Sequence, residues 1–90
     1  MNRIIFTDNY IKRATKFIKK HPELNSQYEK TLKLLELNPS HPSLRLHKLS
    51  GNLSELYSIS INMTYRISID FIINDNIIIP INVGKHDDVY

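Results

Sequence analysis

Tyr65-Arg66-Ile67-Ser68-Ile69-Asp70-Phe71 reads as a β-strand with two unlike faces. Successive strand side chains point to opposite sides, so Tyr65, Ile67, Ile69 and Phe71 share one face and Arg66, Ser68 and Asp70 share the other. An antiparallel sheet built on such a strand buries its apolar face against a second layer and leaves the polar face available.

The neighbours of this strand carry the same period. Asn62-Met63-Thr64 before it and Asn74-Asp75-Asn76 after it are turn sequences, and they lead to Leu56–Ile61 and Ile77–Ile81. Pro80 lacks the N–H a ladder needs, which predicts an edge position or a bulge. Further upstream Ser50-Gly51-Asn52 is a turn, and Leu44, Leu46 and Leu49 alternate with Arg45 and His47. Gly84 is read as a turn before the tail Lys85-His86-Asp87-Asp88-Val89-Tyr90.

Before Asn38–Ser43 the spacing is helical instead. Tyr10, Ala14, Phe17 and Ile18 fall on one helix face, with Thr7 or Asp8 as the cap and His21-Pro22 as the stop. Pro22 suits the first position of a second helix, with Leu24, Tyr28, Thr31, Leu32 and Leu35 as its buried stripe. Arg3-Ile4-Ile5-Phe6 is a short strand ahead of both. The expected fold is α+β, in the order β-α-α-β-β-β-β. An N-terminal helical hairpin packs on a twisted, mainly antiparallel sheet, all within one domain spanning residues 1–90.

Composition narrows the chemistry. With 90 residues the core is thin, because a chain of this size buries only about 60–65% of its unfolded surface. The chain has no cysteine, which excludes a disulfide framework and thiolate catalysis. No apolar run approaches the roughly 20 residues of a membrane helix, and Met1–Phe6 does not read as a secretory signal, so a cytoplasmic setting without membrane contact is expected. His21, His41, His47 and His86 match no compact ligand spacing, and neither a metal nor any other cofactor is expected. The net charge of +3 allows an anionic partner. Lys12, Arg13, Lys16, Lys19 and Lys20 crowd the first helix, either as its solvated face or as a contact for nucleic acid or an acidic protein.

Two places can carry function. Arg66 leads the polar sheet face, where Ser58 and Ser60 of the preceding strand join it and Arg45 and His47 follow if the register permits. A guanidinium there can bind phosphate with two hydrogen bonds, although any half-buried sheet has a wet face. The second is the tail, where His86 titrates near neutrality and Tyr90 stands among charged groups; a solvated C-terminus has the same look.

Leu46–Leu53, Leu56–Ile61, Tyr65-Arg66-Ile67 and Val83–Tyr90, taken in order, resemble the RelE/ParE superfamily of toxins from bacterial type II toxin–antitoxin systems, in particular its RelE/YafQ-like branch. The resemblance implies a ribosome-dependent mRNA endoribonuclease, in which a 2′-hydroxyl attacks the adjacent phosphate. It implies Arg66, His86 and Tyr90 as catalytic residues and Arg45, His47, Lys48 and Lys85 as RNA-binding ones. Its implied partners are a cognate antitoxin, mRNA and the ribosome with its rRNA. Ser58 and Ser60 stand where some members carry cations. Two other outcomes therefore stay open: a ParE-like inhibitor of DNA gyrase, and a degenerate toxin that only binds its antitoxin.

Overall fold

The computed structural model describes residues 2–49, 56–72 and 75–85. Strand β1 (Arg3–Ile4) leads into helix α1 (Asp8–Lys20). Thr7 is the cap, its hydroxyl accepting from the Tyr10 N–H at 3.2 Å. The helix stops at His21 because a residue before proline avoids helical angles. Pro22 does not open the second helix as its position suggested. It starts a 3-10 turn, Pro22–Leu24, closed by the Asn25 N–H on the Pro22 carbonyl, and helix α2 runs from Asn25 to Leu37.

The alternation read from Leu44 starts later than expected. Pro42–Leu44 is another 3-10 turn, capped where His41 Nδ1 accepts from the Ser43 N–H at 3.1 Å. Arg45 follows at φ 49°, in the left-handed region, which reverses the chain before β2 (His47–Lys48). Strands β3 (Tyr57–Ser60), β4 (Tyr65–Ile72) and β5 (Ile77–Lys85) complete the sheet. Asn62 builds the β3–β4 turn, its side-chain oxygen accepting from the N–H groups of Thr64 and Tyr65, both at 2.8 Å. The predicted turn at Ser50-Gly51-Asn52 and residue Asn74 lie outside the described residues.

Among the described residues one five-stranded sheet forms, in the order β1-β5-β4-β3-β2. All neighbours are antiparallel except β1, which runs parallel to β5 through Arg3–Ile77 and Ile4–Ile78. For the last strand one expectation holds and one changes. Pro80 does mark a bulge: Ser68 pairs with Asn82 while Ile69 pairs with Pro80, leaving Ile81 as the extra residue. Yet the strand is interior, and Pro80 is tolerated because β1 ends opposite Ile78. Gly84 is not a turn; β5 continues through it, since it pairs with Arg66 and Lys85 pairs with Tyr65.

The helices cover one face of this sheet. Tyr10, Phe17, Leu24, Tyr28 and Leu35 pack with Ile59, Ile61, Ile67, Ile69, Ile78 and Val83 in one buried cluster. Within it the Tyr10 and Tyr28 hydroxyls share a hydrogen bond that ties α1 to α2. Burial pushes both phenols above the usual range, and for Tyr10 the neighbouring Tyr28 adds to the rise.

Candidate functional site

Register decides which predicted residues meet. Side chains of directly paired residues lie on one face of the sheet. The pairs Ser60–Arg66 and Arg66–Gly84 form one row across β3, β4 and β5, and His47–Ser58, Ser58–Ser68 and Ser68–Asn82 form the next row. Arg66 therefore shares its face with His47, as the alternation anticipated, while Arg45 sits outside the strand in its left-handed turn.

This face is less open than a simple wet surface. Ser58, Ser60 and Ser68 are only 0%, 6% and 1% exposed. Their small side chains lie between flanking strands, and the Arg66 stem reaches across so that Nη1 donates to Ser60 Oγ at 2.5 Å. The remaining nitrogen on the chain side, Arg66 Nε, is buried and has no hydrogen-bond partner among the described residues. Gly84, its direct partner on β5, is buried and contributes no side chain to this row. A half-buried cation with an unused donor is chemically suited to an anion.

Two predicted cations fall elsewhere. Lys48 pairs with Tyr57 and so lies on the opposite face from Arg66, at the β2 edge. Lys85 pairs with Tyr65, again on the helix side. There it joins Arg13, Lys16, Lys19 and Lys20 of α1 along an open groove of about 1030 Å³ between α1 and the end of β5. His86 and Tyr90, the proposed proton-transfer residues, lie outside the described residues.

The floor of this groove was not anticipated from sequence. His21 is more than a loop residue: its ring lies 4.9 Å from Phe17 and 4.8 Å from Tyr65, and Phe17 meets Tyr65 edge-on at 5.2 Å. Its Nδ1 is 3.5 Å from the Tyr65 hydroxyl and 3.6 Å from Glu23 Oε1. The Phe17–His21 spacing of one helical turn was the available signal, but Tyr65 joins them only through the tertiary fold. Among the described residues no cluster of His, Asp or Glu is suited to hold a metal ion.

This arrangement, two helices on one face of a five-stranded mixed sheet, is the fold of the solved toxins YafQ and YoeB. It matches YafQ in the E. coli DinJ–YafQ toxin–antitoxin complex with a TM-score of 0.76 at 15% identity, covering 99% of this chain and 97% of that one. The YoeB–YefM complex from Staphylococcus aureus gives 0.70 at 22% identity, over 96% and 98% of the two chains. A YoeB/ParE toxin from Agrobacterium tumefaciens gives 0.72 at 11% identity, over 96% and 99%. No protein-family model matches the chain, and no curated protein matches its sequence.

Proposed function

We propose that this protein is the toxin of a type II toxin–antitoxin pair and acts as a ribosome-dependent mRNA endoribonuclease. The observation that supports this reading is Arg66: a half-buried guanidinium on the polar sheet face, with Nη1 bonded to Ser60 Oγ and Nε without a partner among the described residues. In the reaction a 2′-hydroxyl attacks the neighbouring phosphorus, the 5′-oxygen leaves, and a 2′,3′-cyclic phosphate remains. Arg66 stabilises the charge that builds on the phosphoryl oxygens, and His86 and Tyr90 supply the base and the acid. His47 lies on the same face for the RNA strand. A cognate antitoxin, as DinJ is to YafQ and YefM to YoeB in the matched complexes, would hold the protein inactive.

The test is cleavage of a message on programmed ribosomes, read by primer extension. Wild type is compared with Arg66→Ala, His86→Ala and Tyr90→Phe after circular dichroism confirms folding. Each variant is expected to lose at least about 100-fold in rate. Undiminished cleavage in all three would remove the site assignment.

The buried serines favour a second reading. Ser58 and Ser60 supply no charge, so Arg66 is the one cation the described strand positions place on this row. A non-nuclease, ParE-like toxin acting on gyrase needs no phosphate site. DNA breaks and an SOS response without transcript cleavage, on induction in growing cells, would select it.

A further inference from the structure

The groove between α1 and the end of β5 is separate from the Arg66 face and is joined to it by a single strand. Arg13, Lys16, Lys19, Lys20 and Lys85 line it, and among the described residues its lining holds no carboxylate. Glu23 stands only at the rim, against His21. The volume of about 1030 Å³ and the open form exceed what one small ligand fills, so the groove suits a chain. On its floor, the half-buried rings of His21 and Tyr65 lie among the cations. Cations that follow a backbone, with aromatic faces between them, are the pattern of single-stranded nucleic-acid sites.

An acidic protein strand is the competing occupant, and the edge of β5 disfavours it. Past the bulge, no strand among the described residues lies on the outer side of β5, which would invite strand addition. Two backbone groups of that stretch are already engaged, however. Arg13 Nη1 donates to the Ile81 carbonyl at 3.2 Å, and the Val83 N–H donates to Asn82 Oδ1 at 2.9 Å. A phosphodiester chain needs neither of them.

The groove also leads somewhere. Asn82 and Gly84 line it, and Gly84 is the direct partner of Arg66. We infer that the α1–β5 groove binds a single-stranded RNA segment through its phosphates and guides it over Gly84 to Arg66. This deepens the nuclease reading and rests on it for the identity of the strand, but the binding itself requires no cleavage.

The experiment uses the full chain and a fluorescein-labelled 12-mer RNA with 2′-O-methyl groups throughout, which removes the attacking hydroxyl. Binding is followed by fluorescence anisotropy over a salt series. Lys16→Glu/Lys20→Glu should weaken binding by at least about tenfold and flatten the logarithmic salt slope by about 1.4, the value for two lost phosphate contacts. The control Lys30→Glu/Lys33→Glu, which makes the same charge change on the exposed side of α2, should shift affinity less than about threefold. Equal losses in both double variants would reduce the effect to net charge and overturn the inference. So would wild-type affinity in Lys16→Glu/Lys20→Glu, or a groove that binds poly-glutamate and not RNA. Groove-dependent binding by a wild-type protein that cleaves no message would keep the inference and sink the nuclease reading. Cleavage at full rate with an unaffected groove variant would do the reverse.

Discussion

The Tyr10–Tyr28 hydrogen bond makes the interior of the helical hairpin measurable. Tyr10 is 1% exposed and Tyr28 8%, and their hydroxyls bond to each other between α1 and α2. Replacing either residue by phenylalanine keeps the ring and orphans the other hydroxyl, at a cost of about 1–3 kcal/mol. The two substitutions are not equivalent. Tyr28→Phe orphans the deeper Tyr10 hydroxyl and should cost about 2–3 kcal/mol, whereas Tyr10→Phe leaves the Tyr28 hydroxyl nearer water and should cost about 1 kcal/mol. Removing both hydroxyls removes the desolvation penalty with the bond, so the double variant should lie within about 1 kcal/mol of wild type. Urea unfolding followed by circular dichroism gives the three differences, and thermal midpoints should follow at roughly 4–8 °C per kcal/mol. The pH dependence checks the same pair. Both folded-state pKa values are raised, so the unfolded chain releases these protons first, once pH passes about 10. Wild-type stability should be complete below that pH and fall above it by up to about 1.4 kcal/mol per pH unit for each tyrosine. The double phenylalanine variant should lose that component. A double variant as unstable as the sum of the singles would refute the idea that these hydroxyls satisfy one another.

Other expectations follow from single contacts. Asn62→Ala removes the acceptor for two backbone N–H groups and should cost about 1–2 kcal/mol in urea unfolding, with Asn62→Asp recovering most of it. Gly84→Leu puts a branched side chain in the buried position beside Arg66 and should cost about 1–3 kcal/mol while reducing message cleavage far more than Asn62→Ala does. Arg66→Lys keeps the charge but not the planar fork, so it cannot hold Ser60 and offer a second donor together. Its cleavage rate should stay within about tenfold of Arg66→Ala, and a rate near wild type would mean that charge alone suffices.

Much of the architecture was legible because local signals agreed with each other. Thr7 before a helical stripe, the stop of that helix at His21 ahead of proline, and strict alternation from Tyr65 to Phe71 each point to one local structure, and the chain adopts it. The errors come where short-range chemistry overrides a pattern. Leu44 fits an alternating run, but His41 and Pro42 tighten the backbone into a 3-10 turn and send Arg45 into left-handed angles. Gly84 reads as a breaker in isolation, yet pairing with Arg66 extends β5 through it. For the site, alternation was enough to place Arg66, Ser58 and Ser60 together. It could not place Lys48 and Lys85 on the far side, because facing depends on which residue each one pairs with.

The position of β5 explains why a single strand serves both regions. Had the strands simply followed chain order, β1 and β5 would both be edges of the sheet. Instead β1 pairs with the start of β5 and then stops, so the later half of β5 has β4 on one side and α1 beside the other. The bulge at Ile81 falls at this change of surroundings, and the carbonyl there is taken up by Arg13 of α1. One stretch of backbone, Asn82 to Lys85, thus presents Gly84 to Arg66 on one face and Lys85 to the α1 cations on the other. Cations separated in sequence by the whole sheet become neighbours across the width of one strand.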